Sequence, residues 1–154
     1  MSGEQSLPAQ YYPDDFQVIT IGPFYGVALV DPTAVLYADR DLTVDSIIVY
    51  TATAHGSAAT ASFEVSTDPT STSGASMAVA DLNLTAGTTL FLATDGGSVP
   101  ATVAANGTAG TSANSTQLSQ LENTINRGSF LIIDLSAGTS WRGFIQIRLR
   151  SRPK

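Results

Sequence analysis

Cysteine is absent from this chain. That rules out a disulfide framework, a thiolate nucleophile and any cysteine-based metal site, so stability has to come from packing. Histidine occurs once, at His55, in a run of alanines and glycine. A catalytic triad needs an imidazole beside an activated serine, and no serine here sits in a Gly-x-Ser-x-Gly elbow or a comparable setting. A metal centre built on His55 would have to draw its carboxylates from distant loops. His55 is therefore read as a solvated loop residue. Asp39, Asp41 and Asp45 lie at calcium-loop spacing but lack the glycine and terminal glutamate of an EF-hand. Gly96-Gly97 has no Lys-Ser/Thr after it, which excludes a phosphate loop. Paired carboxylates for glycoside hydrolysis leave no local signature, and no residue pattern here supports them.

Charge is also scarce. Only 13% of the residues are charged, and the formal net charge of -6 argues against an electrostatic footprint for nucleic acid. The charges are polarised along the chain. Glu4, Asp14, Asp15, Asp31, Asp39 and Asp41 crowd the start, whereas Arg142, Arg148, Arg150, Arg152 and Lys154 crowd the end. Two readings of the basic end stand: a partner-binding surface, or a strand face that pairs with acids elsewhere or is simply solvated. No run of about 18 apolar residues is long enough to span a bilayer, and the first residues lack a basic region followed by an apolar one. The expectation is no membrane partner and a chain made and kept in the cytoplasm. Asn83, Asn106 and Asn114 match the glycosylation pattern, as a Ser/Thr-rich sequence does by chance.

With 154 residues and 43% of them apolar, the chain is sized for one domain with a sizeable core. Residues 1–15 read as an extended arm, in which Pro8 and Pro13 bracket Tyr11 and Tyr12. Those tyrosines are suited to anchoring on a neighbouring surface or on the domain's own edge. Residues 16–154 read as a single β domain. Strands are expected over Gln17 to Ile21, with Gly22-Pro23 as punctuation, and over Gly26 to Val30 and Ala34 to Tyr37. Leu42 to Thr51 follows, with Val44, Ile48 and Tyr50 on one face and Ile47 and Val49 on the other; apolar residues on both sides mark it as central. Ser62 to Thr67 alternates with Phe63 and Val65 inward. Met77 to Leu84 and Thr88 to Thr94 read as a hairpin turning at Thr85-Ala86-Gly87. Pro100 to Thr116 reads as a loop. Ser115 to Asn126 is the one helical candidate: Leu118, Leu121 and Ile125 are spaced for it, Ser115 is placed as N-cap and Gly128 as the stop.

The sequence closes on Gly128 to Arg150, an apolar run followed by strict alternation. Trp141, Gly143, Ile145, Ile147 and Leu149 fall on one side of an extended chain; Arg142, Phe144, Gln146, Arg148 and Arg150 fall on the other. Trp141, the only tryptophan, reads as core from its neighbours, with a sugar-stacking platform as the alternative. Many short strands and at most one short helix predict an all-β antiparallel sandwich or barrel.

Asp81 to Gly87, Thr89 to Leu92, Asn126 to Gly128, Leu131 to Leu135, Ala137 to Thr139 and Gly143 to Leu149 together resemble the jelly-roll decoration and head-fibre proteins of tailed bacteriophages. The resemblance spans roughly Asp41 to Arg150, and residues 100–116 depart from it as an insertion. It implies a jelly-roll β-sandwich whose last two strands lie in opposite sheets, so that Ser136 to Ser140 turn a corner. It also implies a non-enzymatic virion protein on the capsid surface, without cofactor, whose partners are the major capsid protein and two further copies of itself in a trimer. Tyr11, Tyr12, Arg142, Arg148, Arg150 and Arg152 are the candidate partner-binding residues. A glycan-binding module of fibre or adhesin type is the alternative, with Trp141 and the two tyrosines as stacking groups.

Overall fold

Alternation over the last strand sets the frame of the molecule. Ile145, Ile147 and Leu149 are buried, while Arg142 at the start of the strand and Arg148 between the last two are exposed. In the computed structural model the described residues are 16–25, 33–54, 59–71, 73–84, 86–93, 102–105, 108–111, 115–135 and 141–151. All the regular structure among them is β. The strands are β1 Phe16–Tyr25, β2 Thr33–Tyr37, β3 Leu42–Thr53, β4 Thr60–Ser66, β5 Ala75–Asp81 and β6 Thr88–Ala93. They are followed by β7 Thr102–Ala105, β8 Thr108–Thr111, β9 Thr124–Ile125, β10 Phe130–Leu135 and β11 Arg142–Ser151.

The strands form two antiparallel sheets. The larger has the order β1-β11-β3-β6-β7-β8, with β9 pairing on β3; the smaller has the order β2-β10-β4-β5. With the pair β7–β8 and the two-residue β9 set aside, the remaining strands, counted along the chain, run first-eighth-third-sixth in one sheet and second-seventh-fourth-fifth in the other. This is the wrapping of a jelly roll, in which all successive strands of this set except β4 and β5 lie in opposite sheets. The core between the sheets joins Val44, Ile47 and Val49 of β3, Phe63 of β4, Met77 of β5, Leu90 and Leu92 of β6, Leu131 and Ile133 of β10, and Ile145 and Ile147 of β11. β3 lies between β11 and β6, as its apolar composition predicts.

Several elements differ from the sequence expectation, each for a physical reason. β1 runs through Gly22-Pro23, where the peptide is cis. A register shift between Ile21 and Phe24 absorbs the extra residue, and Gly22 takes the φ of +116° that this requires. β1 is an edge strand, so the missing N–H of Pro23 need not cost a ladder bond. The expected strand over Gly26 to Val30 lies outside the described residues, as do the arm over residues 1–15 and the corner over 136–140. β5 and β6 lie in different sheets, so the stretch between them is an arch and not a hairpin turn. Part of the expected loop at 100–116 is the paired strands β7 and β8, which extend the larger sheet beyond β6.

The helical candidate is not a helix. Residues 115–125 form a strap, broken by a turn at 120–122, that ties the two sheets together. The Ser115 Oγ accepts the N–H of Asp81 at 2.8 Å, so it does not cap a helix. Thr116 and Ser119 donate their N–H groups to Val79 and Met77 of β5, each at 2.9 Å. The Gln117 side chain accepts the N–H of Ala93 on β6 at 2.7 Å, and the Asn123 carbonyl accepts the N–H of Val44 on β3 at 2.8 Å. The strap thus covers hydrogen-bonding groups of an edge strand that would otherwise face solvent. Leu118 and Ile125 are buried, but Leu121 is 88% exposed, so the three leucine and isoleucine positions share no face.

Trp141 is core, not a surface platform. It is 4% exposed, donates its indole N–H to the Thr51 Oγ1 at 3.0 Å and meets the Phe24 ring at 5.5 Å between centroids. Gly143 makes room for it: a Cβ there would collide with the carbonyl oxygen of Tyr50 and come within 2.6 Å of the indole ring.

Candidate functional site on the outer face of the larger sheet

A bulge in β3 decides what faces outward. The register against β11 shifts between Arg148, which opposes Ser46, and Leu149, which opposes Val44. Asp45 is the residue in excess, and it changes the phase of the strand. Leu42 and Val44 point into the core before it; Ile47, Val49 and Thr51 do so after it. Val44 therefore lies on the core face with Ile47 and Val49, not with Ile48 and Tyr50 as strict alternation predicts. A bulge of this kind re-aims side chains. Here it turns Asp45 toward the last strand and leaves Ile48 and Tyr50 on the outside.

The outer face can be read across the sheet in register. One row runs Val18, Arg148, Ser46, Ala93; the next runs Thr20, Gln146, Ile48, Phe91; a third joins Phe144, Tyr50 and Thr89. Phe144 and Tyr50 stack with ring centroids 5.1 Å apart. Val18 is 58% and Phe91 41% exposed. Between them lies a shallow depression of about 490 Å³ lined by Val18, Asp45, Ser46, Ile48, Phe91, Ala93, Gln146 and Arg148. Isolated exposed apolar residues are ordinary on protein surfaces; here they adjoin one another and are rimmed by Asp45, Gln146 and Arg148, which makes this face the candidate site.

The predicted arginines are only partly brought together. Arg148 and Arg150 both approach the Asp45 carboxylate, at 4.0 and 3.8 Å, and the Arg148 guanidinium lies 3.8 Å from the centroid of the Phe16 ring. These contacts are long and solvent-exposed, so they organise the side chains more than they stabilise the fold. Two cations sharing one carboxylate leave a positive excess beside the depression. Arg142 is exposed at the far end of β11, six residues from Arg148 and so about 20 Å away along an extended strand. Arg152, Tyr11 and Tyr12 lie outside the described residues, as do His55 and Gly96-Gly97.

The three aspartates of calcium-loop spacing serve separate ends. Asp39 lies 3.8 Å from the Arg40 guanidinium, Asp41 accepts the N–H of Arg127 at 2.8 Å, and Asp45 faces the arginines of β11. No group of three potential metal ligands occurs among the described residues, and no helix among them is long and apolar enough to cross a membrane. Sequence reasoning found the arginines but missed Val18, Ile48 and Phe91. The signal was available in β3, because a central strand of an antiparallel sandwich ordinarily carries polar residues on its outer side. Ile48 and Tyr50 there have no core to fill. No protein family, curated protein or solved structure matches the chain.

Proposed function

We propose that this chain is a structural virion protein that decorates the outer surface of a tailed-phage head and reinforces the shell, self-associating as a trimer. The observation that carries the reading is the open apolar and aromatic face of the larger sheet, set on a jelly roll whose other sheet edge is closed by the strap. Jelly rolls serve in capsid and lectin proteins alike. What favours an assembly role over a sugar-binding one is that the tryptophan offered as a stacking platform is in the core. The exposed face instead combines branched aliphatic, aromatic and guanidinium groups, a composition suited to protein surfaces.

The reading assigns the chain no reaction and no cofactor. It names the major capsid protein and further copies of the chain as partners, and the capsid surface as the place of action after synthesis in the host cytoplasm. The test is to mix purified protein with undecorated heads and measure occupancy at low and high salt. Saturation at a fixed number of copies per head, with greater resistance of the head to heat, is expected. Absence of binding at both salt concentrations would overturn the reading.

A further inference from the structure

The outer face of the larger sheet and the first residues of the chain are complementary in charge and in kind. Residues 1–15 carry Glu4, Asp14 and Asp15 and no lysine or arginine, and their aromatic groups, Tyr11 and Tyr12, stand directly before Pro13-Asp14-Asp15. The face offers apolar side chains, Val18, Ile48 and Phe91, around a depression of about 490 Å³. A cavity of ~150 Å³ suffices for a benzene ring, so the depression has room for aromatic side chains. Beside it, Arg148 and Arg150 share a single carboxylate, Asp45. We infer that this face binds the Tyr11–Asp15 segment of a second copy of the chain, tyrosine rings over Ile48 and Phe91 and the aspartates against Arg148 and Arg150.

Strand direction selects a second copy over the same one. β1 enters the sheet at Phe16, opposite Arg150, and runs from there past Val18 and Thr20 toward Tyr25. The depression lies ahead of Phe16 along this strand, so tyrosines of the same copy could reach it only by folding back from Phe16 over β1. A neighbour's segment need not fold back. A segment of one copy seated on a different surface of the next is a heterologous contact, which gives a ring, such as the trimer proposed above, when the rotation between copies closes. The inference rests on the self-associating protein proposed above and names the contact by which it associates.

The test uses the full chain with Tyr12→benzoylphenylalanine, prepared in light and isotopically heavy forms, mixed, irradiated and analysed by mass spectrometry. The expected result is cross-links to peptides containing Val18, Ile48 or Phe91, including products that join a heavy to a light chain. Cross-links confined to chains of one isotope, or none to this face, would overturn the inference. In the same experiment Arg148→Glu with Arg150→Glu should lower the yield on the order of tenfold, since close charge pairs across an interface become repulsive; an unchanged yield would overturn the pairing. Phe91→Ser provides a second variant if the reversed pair fails to fold, with the same expected loss. The capsid reading fails separately. Cross-linked protein that binds no heads leaves this inference standing, and protein that binds heads without inter-copy cross-links removes it.

Discussion

The two faces of the larger sheet are built from the same strands, yet they answer to different constraints. On the inner face of β11, Gly143, Ile145, Ile147 and Leu149 interlock with β3 and with the opposite sheet, and Gly143 has no space for even a methyl group. On the outer face, alternate residues of the same strand, Phe144, Gln146 and Arg148, meet only neighbours within their own sheet and border a depression. The inner face has its contacts already, so substitution there should unfold the protein. The outer face has apolar and charged groups in excess of what the fold uses, so substitution there should alter association and spare the fold. Adjacent positions in sequence can therefore be used to separate stability from function.

The largest effect should come from Gly143→Ala. The added Cβ meets the Tyr50 backbone, which cannot rotate away, and the indole ring of Trp141. Overpacking typically costs 1–3 kcal/mol and occasionally more, and a clash with backbone belongs at about 3 kcal/mol or above. Thermal denaturation followed by circular dichroism should show a fall in Tm of roughly 10 °C for a domain of this size. Next comes a matched pair of neighbours. Ile147→Ala removes a fully buried side chain and should cost about 2–5 kcal/mol. Gln146→Ala, on the other face, should stay within about 0.5 kcal/mol. If both lower the denaturation midpoint equally, the distinction between the faces is wrong.

Much of this contrast was legible in the sequence and some was not. The alternation of β11 identified its inner face because a strand with no bulge on its inner side keeps period two. β3 misled because its period breaks at Asp45, and a bulge has no residue signature of its own beyond polarity. Thr85-Ala86-Gly87 carries the same turn chemistry whether the next strand pairs with the last or crosses to the other sheet, so local residues could not distinguish a hairpin from an arch. Residues 102–111 are alanine, threonine, glycine and asparagine with one valine, and β7 is defined by backbone pairing to β6 and β8 by pairing to β7, which no side-chain pattern encodes. Leu118, Leu121 and Ile125 matched a helical spacing by coincidence: Leu118 and Ile125 enter the core from a strap, and Leu121 enters nothing. The outer site was half legible. Its arginines stood out as a charge cluster, but that Ile48 and Phe91 flank each other depends on the register of β3 against β6.

A smaller effect should separate the indole's packing from its hydrogen bond. Trp141→Phe keeps a ring beside Phe24 and Gly143 but withdraws the N–H from the Thr51 Oγ1, in a place where Thr51 is fully buried. An acceptor left without its donor costs about 1–3 kcal/mol. The denaturant midpoint should fall accordingly, with the m-value unchanged. Trp141→Phe combined with Thr51→Val should recover part of that loss, because the unsatisfied oxygen goes too. Recovery of nothing would mean that the cost lies in packing volume and that the inner face tolerates an unpaired hydroxyl.

The smallest effect is expected at Asp68, which lies beyond β4 on neither face of the larger sheet and so serves as a control for both. Its carboxylate accepts the N–H of Thr70 at 2.9 Å and the Thr70 hydroxyl at 2.8 Å. The backbone bond first, and the hydroxyl bond second, favour the charged form and hold the carboxyl below its ordinary value of 3.8. A depressed value in the folded state means that protons bind the unfolded chain more readily. The resulting stabilisation is present above the unfolded carboxyl value and is lost as pH falls through the lower folded one. Side-chain NMR should place the Asp68 midpoint below that of the same residue in the unfolded chain. Asp68→Ala should flatten the stability profile slightly below about pH 4 and leave inter-copy cross-linking unaltered. Were cross-linking to fall as far as it does with Phe91→Ser, an exposed position remote from the outer face would matter as much as the face itself. Association could then no longer be assigned to the depression between Val18 and Phe91.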